Sequence, residues 1–366
     1  MSGSTAPRVA VLGVGLIGGS IGLAARERLG AVVAGFDPDP ATREAALVAG
    51  AADSVTDSVA EACAGAELVF CAAPVGRLPE LAAAALAASG PDAAVTDVGS
   101  TKRGIVAAVG ADERFIGGHP LAGAETAGVA NARADLFEGA RWYLTPTERS
   151  NGVLYDRLQR AVAGLGARPQ AIDADSHDRL MATVSAMPHA VANALVAEAA
   201  ADLSSGERVP EVGPSFRDAT RVAGSNPAIW ADIFSSNRDA VADSVEAVAR
   251  RLDAAAALIR SGDTEAIGAW HAAAGEDRRR LLEAERSDGP LYELRIVVAN
   301  RPGTMATLAL ALGEAGVNIE DMALHPAPDL TSGAVSLWVA GSEQAERGAA
   351  LVRGLGHGVT VVGAGG

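Results

Sequence analysis

The chain has 366 residues; 45 Asp and Glu against 30 Lys and Arg give a net charge of −15, and only one of the cations, Lys102, is a lysine. That length divides into two or three domains able to bury cores, and the acidic balance argues against nucleic acid or anionic membrane as partners. The single lysine excludes more. No tyrosine stands four residues before it, as a short-chain dehydrogenase requires, and Thr101 rather than glycine precedes it, which excludes a Walker A loop. Any Schiff-base chemistry would have to use Lys102 itself. Cys63 and Cys71 do not suggest a disulfide framework, which fits a reducing, cytoplasmic location. The apolar stretch from Val9 to Ala25 contains five glycines and lacks a basic leader, so it reads as strand, turn and helix rather than a signal or membrane span.

Short apolar runs then alternate with Ala-rich helical segments up to about Ile172. Strands are expected at Val9 to Leu12, Val32 to Phe36, Leu68 to Ala73, Ala94 to Thr96 and Phe115 to Gly117. This alternation predicts βαβ units and a parallel, Rossmann-type α/β domain over residues 1–172. From Asp173 the strand signal stops, and residues 173–288 read as an all-helical domain. Asn226-Pro227 marks a helix start, Gly262 a stop, and Pro188 a kink within the first helix. After Ser287-Asp288-Gly289-Pro290, residues 290–366 follow a βαββαβ order, the split βαβ arrangement.

The segment Gly13-Val14-Gly15-Leu16-Ile17-Gly18 follows a strand and opens a helix, the context a dinucleotide needs. Gly13 permits the turn, Gly15 lets a pyrophosphate approach bare backbone, and Gly18 allows close helix–strand packing. The phosphates would rest on the helix N-terminus, beside Leu16 and Ile17. Asp37, at the end of the next strand, would accept hydrogen bonds from the ribose hydroxyls and favours NAD over NADP, although Arg43 lies nearby.

Ligands of open parallel sheets bind beyond the carboxyl ends of the strands. Standing there are Ala73-Pro74, placed beside the cofactor, then Asp97-Val-Gly-Ser100-Thr-Lys102, then Gly117-Gly-His119-Pro120. His119 is suited to take a proton as hydride leaves an alcohol, and Ser100 to hydrogen-bond the same hydroxyl. A compact ammonium at Lys102, in a chain that otherwise uses arginine, points to a local need near the cofactor or the serine loop. The helical region adds His177, Ser185 and His189, and then Arg217 and Arg221, a pair suited to clamping a carboxylate. No His/Cys grouping has metal-ligand spacing, so no metal is expected.

The strings Gly13 to Ser20, Asp97 to Lys102, Gly117-Gly-His-Pro-Leu-Ala-Gly123 with Glu125, Ala134-Asp-Leu-Phe-Glu138 and Leu144-Thr-Pro146 resemble the prephenate dehydrogenase family. So do Ser185-Ala-Met-Pro-His189, Phe216-Arg-Asp-Ala-Thr-Arg221 and Asn226-Pro-Ala-Ile-Trp230. Asn300-Arg-Pro302-Gly303, with Asn318-Ile319 leading the second strand, resembles the turn signature of an ACT domain. The resemblance implies NAD-dependent oxidative decarboxylation of prephenate in tyrosine biosynthesis, with His119 and Ser100 on the substrate hydroxyl and Arg221 on a carboxylate. Ser185, His189, Arg217, Glu125 and Trp230 would line the substrate pocket. It further implies a homodimer through the helical domain and an amino-acid effector, tyrosine, at Pro302, Gly303, Asn318 and Ile319. Two alternatives stay open: an arogenate dehydrogenase, and an NAD-binding sensor without catalysis, against which His119, Ser100 and Arg221 argue. A β-hydroxyacid dehydrogenase would need a catalytic lysine in the helical part, and none exists.

Overall fold

The computed structural model describes residues 6–123, 126–204, 213–284, 291–299, 301, 303–319, 321–326 and 332–363. They form two compact units, one through Leu252 and one from Asp253 onward.

The first unit begins with β1 (Arg8–Leu12), α1 (Leu16–Leu29), β2 (Val32–Phe36), α2 (Pro40–Val48), β3 (Ser54–Thr56), α3 (Val59–Cys63), β4 (Leu68–Cys71), α4 (Leu78–Ala88) and β5 (Ala94–Asp97). The five strands make one parallel sheet in the order β3-β2-β1-β4-β5. Both faces of this sheet are covered, and the strands show it. Val9 and Val11 pack into one core with Ile21 and Leu158, while Ala10 and Leu12 pack into a second with Leu78 and Ile105. Alternate residues of β1 thus feed opposite cores, the two-residue period of a strand buried on both sides.

Past α5 (Arg103–Val109) the pattern departs from a simple parallel sheet. The strand expected at Phe115 to Gly117 instead forms β6 (Gly117–Pro120), linked to β5 through a single bridge between Val95 and Phe115. β6 pairs antiparallel with β7 (Arg141–Thr145), which pairs in parallel with β8 (Arg168–Ala171) after α6 (Gly152–Gly164). This second, three-stranded sheet is not foreshadowed by the alternation upstream. Its anchor is Trp142, fully buried between Phe70 and Phe137.

Among the described residues between 173 and 284 there are helices and turns and no strand: α7 (Ala174–Met181), α8 (Met187–Ser204), α9 (Pro214–Thr220), α10 (Pro227–Ser236), α11 (Arg238–Ser261) and α12 (Thr264–Ala284). Asn226 caps α10, accepting from the amides of Ala228 and Ile229 at 3.0 and 3.4 Å, and Gly262 follows α11 at a φ of +65°. Between α7 and α8 lies one π-helical stretch, Ala182–Ala186, just ahead of Pro188. A π-turn widens the helix where the proline has no N–H to give and its ring would press on the preceding turn. The break expected at Pro188 therefore takes the form of a bulge that re-aims the residues around it.

In the second unit, β9 (Leu291–Ala299), α13 (Thr304–Glu314), β10 (Asp321–Pro326), β11 (Ser332–Ala340), α14 (Ser342–Gly354) and β12 (Gly358–Val362) follow the expected βαββαβ order. The strands form an antiparallel sheet, β10-β11-β9-β12. Its core of Leu294, Ile296, Leu308, Leu312, Leu337 and Val352 is its own.

The junction of the two sheets in the first unit is held by a buried ion pair. Asp97, the last residue of β5, accepts hydrogen bonds from Gly99 N at 2.8 Å and Gly118 N at 3.0 Å, and pairs with the ammonium of Lys102. Both side chains are completely buried. Burial pulls the Lys102 ammonium below its ordinary pKa, and the Asp97 charge opposes that pull. Removing one member of a buried pair leaves the other uncompensated, at a cost of roughly 3–5 kcal/mol. Lys102→Met should therefore lower stability by about that amount in a denaturant melt; an unchanged midpoint would show that the pair does not brace the junction.

Candidate active site

The glycine turn has the geometry a dinucleotide requires. Gly13 adopts a φ of +101°, and a Cβ on it would stand 2.1 Å from the Ala72 carbonyl oxygen. A Cβ on Gly18 would stand 1.8 Å from the Gly13 carbonyl oxygen, so helix and turn touch there. Gly15 is different: nothing lies within 4 Å of its missing side chain, which leaves open backbone where α1 begins. Leu16 and Ile17, in the first turn of α1, pack their side chains against the core and leave their amides at the helix start. Asp37 follows β2, with one carboxylate oxygen accepting from Val14 N at 3.2 Å and the other from Asp39 N at 3.0 Å. Arg43 is drawn to the backbone of the same turn, donating to the carbonyls of Asp37 at 2.7 Å and Pro38 at 3.1 Å. The open cradle, the helix N-terminus and the adjacent carboxylate fit NAD.

Ala73 and Pro74 follow β4, across the crevice where the strand order reverses, and lead into a short turn at Val75–Arg77. The Gly76 amide in that turn donates to Asp232 of α10 at 2.9 Å. The helical domain thereby fixes the loop that edges the cofactor crevice.

His119 lies in β6, beside the Asp97 clamp. The two glycines before it are sterically enforced: a Cβ on Gly117 would meet Thr145 Oγ1 at 2.3 Å, and one on Gly118 the Asp97 carbonyl oxygen at 2.5 Å. The His119 ring is 8 % exposed, and its Nδ1 lies 2.9 Å from His177 Nε2. His177 Nδ1 lies in turn 2.9 Å from Asp178 Oδ1. Asp178 also accepts from the amides of Lys102 at 2.7 Å and Arg103 at 2.9 Å, and its carbonyl accepts from Asn237 Nδ2 at 2.7 Å. Burial, then the neighbouring His177 and Lys102, hold the His119 imidazole well below its ordinary pKa, so it is neutral at physiological pH. Ser100 is half-buried in the loop between β5 and α5, two residues before Lys102, whose ammonium has no exposed surface.

A second set of residues gathers around a cavity of about 760 Å³ in the same unit. His189, Arg221 and Trp230 line it with Gly123, Thr126 and Asn226. The His189 and Trp230 rings stack with centroids 3.5 Å apart, and His189 Nδ1 donates to the Ser185 carbonyl at 3.0 Å. Ser185 belongs to the π-helical stretch, so the bulge before Pro188 supplies the carbonyl that orients His189. Arg217 is exposed on α9, one turn before Arg221, and does not line this cavity. Glu125 and Pro302 lie outside the described residues. Gly303 has a φ of +89° ahead of α13, Asn318 N donates to Gln344 Oε1 at 3.2 Å, and Ile319 packs against the core of the second unit.

Asp178, Asn237 and Asp97 were not singled out as functional from sequence, and His177 only as a polar residue near others. Helix α7 is polar, with Asp175, Ser176 and Arg179 around His177 and Asp178, so no local signal in the sequence marks the pair as buried.

Residues 21–170 match the nucleotide-binding domain of prephenate dehydrogenase, and residues 173–272 its dimerization domain. A prephenate dehydrogenase of Bacillus subtilis is 30% identical over 86% of this chain and 87% of its own length. A cyclohexadienyl dehydrogenase of Zymomonas mobilis is 31% identical over 64% of this chain and 82% of its own. Among solved structures, prephenate dehydrogenase of Aquifex aeolicus in complex with hydroxyphenyl propionate and NAD+ superposes with a TM-score of 0.69, at 29% identity, covering 76% of this chain and 100% of that one. Synechocystis arogenate dehydrogenase gives a TM-score of 0.64 at 26% identity, over 75% of this chain and 99% of that one. With the glycine cradle, the acid at β2 and the histidine at β6 in one unit, the chain belongs to the prephenate dehydrogenase family.

Proposed function

We propose that this chain catalyses the NAD-dependent oxidative decarboxylation of prephenate to 4-hydroxyphenylpyruvate, with His119 as the base. The observation that carries the assignment is a neutral, buried histidine on the strand beside the cofactor crevice, backed by a second histidine at its Nδ1. NAD, when bound, supplies the acceptor for the hydride. As the ring C–H bond breaks, the substrate hydroxyl proton passes to His119 Nε2, with Ser100 as a hydrogen-bond partner of the same oxygen. The C–C bond to the ring carboxylate then breaks, its electron pair enters the ring, carbon dioxide leaves, and the oxygen takes its proton back from His119. No net proton is consumed, and the ring becomes aromatic.

The substrate carries two carboxylates in a protein of net charge −15, so a local cation must receive them. Arg221, on the wall of the His189–Trp230 cavity, supplies a planar guanidinium suited to that pairing. The Ser185 carbonyl orients His189, and Lys102 acts on the serine loop through Asp97, which also binds the Gly99 amide. A homodimer is supported by the apolar side chains that the helical region leaves exposed, Leu195, Val196, Ile229 and Leu252 among them. Two buried free cysteines are in keeping with the reducing cytoplasm. The second unit is read as an ACT-like regulatory domain that binds tyrosine. A cavity there is lined by Arg301, Thr304, Met305, Leu324 and Ala334, beside the Gly303 turn.

Prephenate with NAD should yield NADH, and His119→Asn should lower kcat on the order of a hundredfold or more. Oxidation of arogenate but not prephenate would transfer the substrate assignment to the amino analogue. The active form of His119 is neutral and its pKa is depressed, so the acid limb of kcat/KM should fall below the ordinary histidine value of about 6.5; a limb above that value would remove His119 as the titrating base. Ala334→Phe, which fills the cavity of the second unit, should leave kcat unchanged and abolish inhibition by tyrosine. Inhibition that persists would place the effector elsewhere.

A further inference from the structure

Which nitrogen of His119 carries its proton decides whether the residue can act as a base at all. The cofactor cleft and the chemistry require a bare Nε2, and the chain of groups behind the ring determines whether that nitrogen is bare.

Asp178 is the fixed end of that chain. Its burial would raise its pKa, but hydrogen bonds from His177 and from the amides of Arg103 and Lys102 outweigh burial and leave it lowered. An ionised carboxylate only accepts, so His177 Nδ1, 2.9 Å from Asp178 Oδ1, is the donor in that bond. In neutral His177 the other nitrogen, Nε2, is then a lone pair, and it faces His119 Nδ1 at 2.9 Å. The bond between the rings needs one proton, and it must come from His119 Nδ1. That leaves Nε2 of His119 without a proton. We infer that Asp178 and His177 are positioning residues that set the tautomer of His119, holding Nδ1 protonated and presenting Nε2 as the acceptor for the substrate hydroxyl. This inference rests on the assignment of His119 as base, and it adds how the base is prepared.

The surroundings favour the neutral ring pair. Lys102 places a buried ammonium on the β5 side, neutralised by Asp97, which itself binds the Gly118 amide next to His119. Tyr143, opposite His119 in the sheet, sets its ring edge-on to His177 with centroids 5.6 Å apart, and Arg141 lies over the Tyr143 ring. On the helical side Arg103 lies 3.8 Å from Asp178 and is shared with Asp175 at 3.2 Å. The only carboxylate in hydrogen-bond contact with the histidine pair, among the described residues, is that of Asp178. When His119 gains a proton during the reaction, its Nδ1–H already points at the His177 lone pair, so the imidazolium forms with its acceptor in place.

The tautomer can be read directly. In protein labelled with 15N-histidine, above the pH at which His119 titrates, Nδ1 of His119 should resonate as a protonated nitrogen and Nε2 as a bare one; the reverse assignment overturns the inference. This reading needs no substrate, so it stands apart from whether prephenate is the compound oxidised. For catalysis, His177→Leu should lower kcat on the order of a hundredfold with KM little changed, and displace the acid limb of kcat from its wild-type position. His177→Gln, which keeps an acceptor oxygen, should restore much of the loss. If the Leu variant keeps both kcat and its acid limb, His177 does not act through His119. If it loses activity without moving the limb and the Gln variant rescues nothing, its role is packing alone and the inference fails.

Discussion

A single carboxylate holds β6, the strand of His119, to the sheet that carries the glycine turn. Asp97 ends β5 and is enclosed on every side: the amides of Gly99 and Gly118 point at it, and the only ammonium of a lysine in the chain is paired with it. A buried carboxylate without such partners would be costly. With them, it fastens β6 against β5 although the two strands share no regular ladder and belong to different sheets. The approach is close enough that neither Gly117 nor Gly118 can carry a side chain. The position of His119 is thus a consequence of electrostatics and sterics one and two residues away, rather than of its own contacts.

The helical domain enters the same region with a second carboxylate. Asp178 accepts from the amides of Lys102 and Arg103, the first of α5, so a residue on α7 supplies the cap that α5 lacks from its own sequence. Asn237, at the end of α10, binds the Asp178 carbonyl, and Asp232 on the same helix holds the turn after β4. Two helices, α7 and α10, therefore reach across to loops at the carboxyl ends of the parallel strands. The cofactor-binding domain does not complete its own active site, and the loops there are ordered by groups from elsewhere in the chain.

This division explains what could be read from sequence. The glycine turn, the acid at the end of β2 and the histidine after β5 are legible because each depends on neighbours within a few residues: a φ only glycine tolerates, a strand end, a pair of glycines. The capped start at Asn226-Pro227 and the stop at Gly262 are legible for the same reason. The second sheet is not, since the antiparallel pairing of β6 with β7 breaks the strand–helix–strand alternation that announces the first. Nor is the role of Asp178: it lies 76 and 75 residues from the amides it binds. Lys102 is the intermediate case. Its singularity marked it as unusual, but a fully buried ion pair cannot be told from a cofactor contact until the fold brings Asp97 beside it.

The distribution of charge follows from the same arrangement. A chain of net charge −15 repels a dianionic ligand at a distance, but exposed charges are largely screened beyond a Debye length of about 8 Å at physiological ionic strength. What matters is the local balance. Around His119, Lys102 is paired with Asp97, and Asp178 accepts from the amides at the start of α5. Arg221 lines the open cavity with His189 and Trp230. Burial above all keeps the His119 imidazole neutral, and in the proposed reaction the Arg221 guanidinium on the cavity wall would receive a substrate carboxylate. In the proposed reaction, binding and proton transfer would thus fall to separate elements, Arg221 at the end of α9 and His119 on β6.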